Sequence, residues 1–334
     1  MMKVFIYPQH KKKQTINPYL ENQEWAVGKQ FEIVHPEYRR RLPQSLRLLI
    51  GSTKADVYIL NWIEEAVEGE GSRLLRGLWT LLALQIIMLR KAKIVWIFHN
   101  IHSHERETFW SKQIKQLLFR GSTIIVAHSA EACEYAKQYA RCPVHFKNHP
   151  IPINNYGMWG GELKECDFYI WGNIHPYKGV LEFLSNPLCR ESGKQILVVG
   201  RCKDKGMSQE IIKCCNEKVV FENRQAGFSE IAAQCKKAKY VLFPYVGDSI
   251  SSSGVLMDTL QMGGTPVGPN RGAFADLARE KCCIVYDDIK EVFDLPVNEK
   301  KMTILQESRD RFMKDNSWEA FGAWLYNILK EEHK

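Results

Sequence analysis

A chain of 334 residues is long enough for two domains of ordinary size, each with its own core. With 45% hydrophobic and 25% charged residues it belongs with ordinary soluble globular proteins. The net charge of +8 favours anionic partners such as nucleotides or a phospholipid surface; with no basic-aromatic repeat and no zinc-finger spacing, nucleic acid is not expected as a partner.

The first strand is expected at Lys3 to Tyr7, so that the opening MMKVFIYPQ reads as folded chain and not as a leader segment. A polar loop follows, carrying Lys11 to Lys13. Further strands are expected at Phe31 to His35 and Ala55 to Leu60. Gly77 to Leu89 is apolar almost all round and bracketed by Arg73, Arg76, Arg90, Lys91 and Lys93. It is shorter than the roughly 20 residues that span a bilayer. It reads as a helix packed between a sheet and its neighbours, while the basic brackets keep a membrane-surface helix as the alternative. Lys93 to Phe98, KIVWIF, is a near-continuous apolar run of the kind buried on both faces of a parallel sheet. Helices at Ser111 to Phe119 and Ala130 to Tyr139 alternate with strands at Thr123 to Ala127 and Val144 to Phe146.

Periodicity lapses between Asn148 and Glu165, where Pro, Gly and Asn accumulate and an interdomain linker is expected. The second series has strands at 168–171, 195–199, 219–221, 240–244 and 284–286, with helices at 180–184, 207–216, 228–236 and 253–262. The last stretch, Trp318 to Leu329, is amphipathic at helical spacing. The expected class is therefore α/β, with two doubly wound parallel-sheet domains whose ligands bind at the carboxyl ends of the strands. The ten cysteines include no CxxC pair and are read as reduced thiols in a cytoplasmic protein.

Three strand-end loops carry candidate chemistry. His99, Asn100, His102, His104 and Glu105 follow KIVWIF; their spacing matches no zinc pattern, and a binding role toward a hydroxylated substrate is preferred to a metal site. In the second loop Gly172 lets backbone approach a ligand, and Lys178 either neutralises a phosphate or is a solvated turn lysine. In the third, Ser252, Ser253, Gly254 and Val255 open a helix whose free N–H groups suit an anion. Asp258, one turn later, either bonds sugar hydroxyls or is a surface carboxylate.

The order of His99, then Gly172 to Lys178-Gly179, Val198-Val199-Gly200, and Pro244 to Ser253-Gly254, Asp258 and Gly264-Thr265-Pro266-Val267, resembles the GT-B fold nucleotide-sugar glycosyltransferases, family 4 in particular. The resemblance implies an acceptor domain over 1–155, a donor domain over 156–310 and a helix over 311–334 that crosses back, with the two domains facing a cleft. It implies that Lys178 and the backbone of Ser252 to Val255 hold a donor diphosphate, with Gly172 and Asn173 beside it, and that Asp258 binds the ribose. His99 would lie by the donor sugar, with Lys178 as the second catalytic group and Asn100, His104 and Glu105 toward the acceptor. Two positions depart from the family pattern: the first acid of its usual pair falls on Ile250, and its turn arginine on Asn173.

What the resemblance implies is a metal-independent, retaining hexosyltransferase without a cofactor, moving sugar from a UDP- or GDP-sugar to a glycan or lipid-linked acceptor in cell-surface polysaccharide synthesis. Peripheral contact with an anionic membrane surface at the inner face is part of that expectation. A nucleotide-sugar epimerase and a non-catalytic nucleotide-sugar-binding protein are the alternatives.

Overall fold

The computed structural model describes residues 1–9, 18–35, 42–67, 71–101, 108–152, 164–246, 253–295 and 299–331. The chain divides into two compact units, Met1–Pro150 with Ser317–Lys334, and Ile151–Asn316. Each is built on one six-stranded, wholly parallel sheet with helices on both faces.

The first sheet comprises β1 (Lys3–Tyr7), β2 (Glu32–Ile33), β3 (Val57–Asn61), β4 (Lys93–Phe98), β5 (Ile124–Ala127) and β6 (Val144–Phe146), in the order β2-β1-β3-β4-β5-β6. The register sets Ile59 beside Val95 and Val95 beside Ile124. Successive strand residues point to opposite faces, and the apolar runs satisfy both. Phe5, Tyr58, Trp96 and Phe98 pack under α2 (Gln44–Gly51), α3 (Arg73–Leu89), α4 (Phe109–Gly121) and α5 (Ala130–Tyr139). Val4, Ile59, Val95 and Val126 pack on the other face with Leu20, Ala26, Phe321, Leu325 and Leu329, which belong to α1 (Pro18–Gly28) and α13 (Trp318–Glu331).

The sequence reading assigns nothing to 18–28 or 44–51, where α1 and α2 lie. It also places α3 between a sheet and its neighbours; one face of α3 packs there, against α2, β4 and α4, and the other is exposed. Only Gly77, Thr80, Ala83, Leu84 and Ile87 are buried, while Leu74, Leu75, Leu78, Leu82 and Leu89 are exposed. Composition counts apolar residues and says nothing of which side has a neighbour.

The second sheet comprises β7 (Cys166–Trp171), β8 (Ile196–Val199), β9 (Val219–Glu222), β10 (Ala238–Leu242), β11 (Pro266–Pro269) and β12 (Ile284–Tyr286), in the order β12-β11-β10-β7-β8-β9. The order reverses between β7 and β10, and ligands of such sheets sit in the crevice at that reversal, outside the carboxyl ends. One face carries α6 (Val180–Ser185), α7 (Leu188–Glu191) and α8 (Lys205–Cys214). The other carries α9 (Phe228–Lys237), α10 (Gly254–Gln261) and α11 (Gly272–Arg279). A further helix, α12 (Glu299–Asp315), precedes α13. All ten cysteines are free thiols. Among the described residues no helix is long and apolar enough to cross a membrane.

Candidate functional site

In the second unit the turn after β7 and the start of α10 come together at the reversal. Gly172 ends the strand with φ +98°, a conformation open to glycine and costly for other residues. A Cβ placed there would lie 3.5 Å from Lys178 Nζ and 3.7 Å from Val255 Cγ2, so all three meet at one point. The chain then makes a single 3₁₀ turn, Pro176–Lys178, and leaves through Gly179 at φ +63°. Gly179 passes the Pro244 carbonyl so closely that a Cβ would lie 2.0 Å from its oxygen. At Gly200, a Cβ would come within 2.1 Å of the Gly172 carbonyl oxygen. These close approaches fix the Lys178 turn on the strand ends.

Lys178 is buried, and its ammonium has no hydrogen bond or ion pair among the described residues; Nζ lies 5.7 Å from the centre of the Tyr245 ring. Burial pulls its pKa down to about 8. A solvated turn lysine does not have these properties.

Ser253 caps α10, its hydroxyl accepting from the Leu256 N–H at 3.2 Å. Among the described residues nothing lies within 4 Å of a Cβ placed on Gly254. The helix is locked to β7 by the Trp171 indole, whose Nε1–H donates to Thr259 Oγ1 at 2.9 Å. Asp258 is half-buried on α10; its carboxyl group also has no hydrogen bond or ion pair among the described residues, and desolvation raises its pKa to about 7. Asn173 is exposed. A cavity of about 460 Å³ opens beyond Gly179, lined among others by Glu182, Tyr245, Arg271 and Asp287; neither Lys178 nor Asp258 lines it. Arg224 is held by Glu222 and Glu230.

In the first unit, His99 follows β4 directly and is buried, stacked on Trp62 with ring centres 4.1 Å apart. Its Nε2 lies 3.3 Å from Asn61 Oδ1. The Asn61 amide is oriented by the Tyr7 carbonyl, which only accepts and takes the Nδ2–H at 2.8 Å. Oδ1 therefore faces His99, and the ring proton sits on Nε2. The other nitrogen, Nδ1, is left as an acceptor. Asn100 is half-buried beside it.

His128 and His149 complete a buried cluster at the ends of β5 and β6. His128 Nδ1–H donates to the Lys147 carbonyl at 2.8 Å, so its Nε2 accepts the Tyr19 hydroxyl, also at 2.8 Å. His149 Nδ1–H donates to the Pro150 carbonyl. Tyr19 touches His99, His128, His149, Trp62 and Trp318 edge-on. Desolvation holds the His99 pKa well below the ordinary value, with His128 and His149 adding to it. It lowers His128 to about 3 and His149 to about 4. All three imidazoles are neutral near pH 7.

Three solved structures show what this arrangement is similar to. A glycosyltransferase from Rickettsia africae ESF-5 is 10% identical, with TM-score 0.65 over 99% of this chain and 98% of that one. A Candida albicans trehalose-6-phosphate phosphatase N-terminal domain is 9% identical, with TM-score 0.67 over 98% and 96%. A point mutant of S. aureus TarM, in complex with Fondaparinux, alpha-GlcNAc-glycerol and UDP, is 11% identical, with TM-score 0.58; the match covers 84% of this chain but only 58% of that one. The fold is that of the GT-B glycosyltransferases. No family model matches the chain, and no curated protein is similar to it in sequence.

Of the sequence-predicted residues, Gly172, Lys178 and Val255 converge, and Ser253 and Gly254 open the same helix that carries Asp258. Ser252, His104 and Glu105 lie outside the described residues, as do Gly247 to Ser251. Among the described residues no group of His, Cys, Asp and Glu is arranged to hold a metal. Sequence reading missed Tyr19, Asn61, Trp62, His128 and Thr259. A signal existed for His128: β4, β5 and β6 are each followed within three residues by a histidine.

Proposed function

We propose that the protein transfers a sugar from a UDP- or GDP-sugar to a hydroxyl of a glycan or lipid-linked acceptor, in cell-surface polysaccharide synthesis at the inner membrane face. The observation that carries this reading is Lys178, a buried ammonium with no counter-charge among the described residues, beside a backbone opened by Gly172. Burying a cation unpaired is costly, and a bound anion removes that cost. The TarM structure, which contains UDP, supports a nucleoside diphosphate as that anion.

As the bond from the anomeric carbon to the donor phosphate breaks, negative charge grows on the departing diphosphate. Lys178 and the first N–H groups of α10 would stabilise that charge with little reorganisation. Desolvated Asp258 would accept hydroxyls from the ribose, and the Nδ1 lone pair of His99 would accept one from a sugar. No step needs a divalent cation, and retention at the anomeric carbon is part of the proposal.

The test is nucleoside diphosphate release across a panel of UDP- and GDP-sugars with acceptor present. Lys178→Ala is expected to lower turnover about 10²- to 10³-fold, the usual effect of removing one charge-stabilising donor, and a chelator to leave the wild type unchanged. Equal turnover in wild type and variant overturns the site. A binder without catalysis is the second reading, favoured by Ile250 in place of an acid; calorimetric binding of UDP or GDP without turnover on any donor would select it.

A further inference from the structure

The cavity beyond Gly179 has no part in the proposed chemistry. At about 460 Å³ it has the size of a small-molecule site. Its walls come from the start of α6 and from the segments that follow β10, β11 and β12, so it too lies at the carboxyl ends of the second sheet, where such folds bind ligands.

Among the described residues that line it, Arg271 is the one cation. Its Nη2 donates to the Tyr245 carbonyl at 3.0 Å, which holds the guanidinium in place without neutralising it. Nε is buried without an acceptor, Nη1 makes no hydrogen bond, and no carboxylate pairs with the group among the described residues. Arg271 is also the residue that precedes α11. No side chain caps that end of the helix, and the N–H groups of Gly272, Ala273 and Phe274 find no acceptor among the described residues. The positive end of the helix dipole therefore adds to the charge of the guanidinium. A fixed cation without a counter-charge, on the wall of a cavity, calls for an anion.

The same lining holds two carboxylates, Glu182 and Asp287, both exposed. Asp287 Oδ1 is held by the Asn270 side-chain amide at 3.0 Å. A bare anion would be repelled by them. A neutral sugar would satisfy them and leave Arg271 as it is. A ligand that suits all three carries an acid group on a hydroxylated body: the acid accepts from Arg271, and the hydroxyls donate to Glu182 and Asp287. Neither Lys178 nor Asp258 lines the cavity, so its ligand is not the one held at those side chains.

We propose that this cavity is a second ligand site of the protein, for a small polyhydroxylated anion of the sugar phosphate or sugar acid class. The proposal goes beyond the transferase reading and does not rest on it. Its test is calorimetry of the full chain with glucose 6-phosphate, glucuronate, glucose and inorganic phosphate, so no turnover is measured. At least one of the two acidic sugars is expected to bind at least about tenfold more tightly than glucose or inorganic phosphate, the size of one charge-assisted hydrogen bond; the tighter of the two names the acid group. Arg271→Gln is expected to lose at least about tenfold in that affinity. Because Arg271 also holds the Tyr245 carbonyl, Glu182→Ala, at an exposed position, supplies an independent reading: it should weaken the acidic sugar and strengthen inorganic phosphate, a crossing that misfolding does not produce. Lys178→Ala should bind the acidic sugar like wild type, which separates this site from the one proposed for the donor. No binding of either acidic sugar, affinity unaltered by both Arg271→Gln and Glu182→Ala, or binding lost with Lys178→Ala overturns the proposal.

Discussion

In the first unit His99, His128 and His149 are buried as neutral rings whose protons are placed by Asn61, Lys147 and Pro150. In the second unit the side chains of Lys178 and Asp258 are withdrawn from water with no partner among the described residues. Both clusters sit at strand ends, yet in one each ring N–H has a partner and in the other neither ionisable group has one among the described residues. A satisfied network rigidifies a surface that a substrate meets. An unsatisfied one holds charge ready for a ligand, at the expense of stability without it.

The sharpest way to break the comparison is to spoil the second cluster's backbone. Gly179→Val combines a left-handed φ with a Cβ 2.0 Å from the Pro244 oxygen. It is expected to destabilise the second unit by about 3 kcal/mol or more, read by urea unfolding. Asn61→Ala makes the first cluster resemble the second, leaving the His99 Nε2–H and the Tyr7 carbonyl without their partner. A loss of about 1–3 kcal/mol is expected, together with a change in the His99 tautomer seen in ¹⁵N spectra.

Acid should separate the units by sign. His128 and His149 have lowered folded pKa values, so the unfolded chain takes protons first as pH falls below about 6.5. The first unit therefore loses stability toward pH 4, by at most about 1.4 kcal/mol per pH unit per histidine. Asp258 has a raised folded pKa, so its contribution is full below the unfolded value and is lost as pH rises through about 7. Peptide-resolved amide exchange of β4 and β10 between pH 4 and 7 is expected to show opposite slopes; slopes of the same sign would contradict the contrast. The smallest effect is Thr259→Val, which removes the bond locking α10 to β7 and should cost about 1 kcal/mol.

The strands were legible because parallel strands buried on both faces read as continuous apolar runs, as KIVWIF does at β4. Helix α1 was not, since its pattern is interrupted at Gln23, a polar residue turned inward to Asn61. The positions of Gly172, Lys178 and Asp258 after strands were visible in the sequence, and their burial was not. Burial is a property of what closes over a side chain, and around Lys178 that is Tyr245 and the meeting of Gly172 with Val255, from distant segments. Tyr19 and Asn61 escaped for the same reason, since each joins a cluster assembled from four or more pieces of chain.

One of those pieces, Trp318, comes from α13. The helix covers the first sheet with Phe321, Leu325 and Leu329, and its Gly322 is close enough to α1 that a Cβ would lie 2.7 Å from the Ala26 carbonyl oxygen. During synthesis, residues 1–150 leave the ribosome before the whole of 151–316 and wait for the segment that covers one face of their sheet. At about 5–20 residues per second the delay is on the order of ten to thirty seconds. The second unit, continuous in sequence, has no such wait. The unit whose strands are made first is thus the one whose core closes last, and Tyr19 stays uncovered on that side until the final helix arrives.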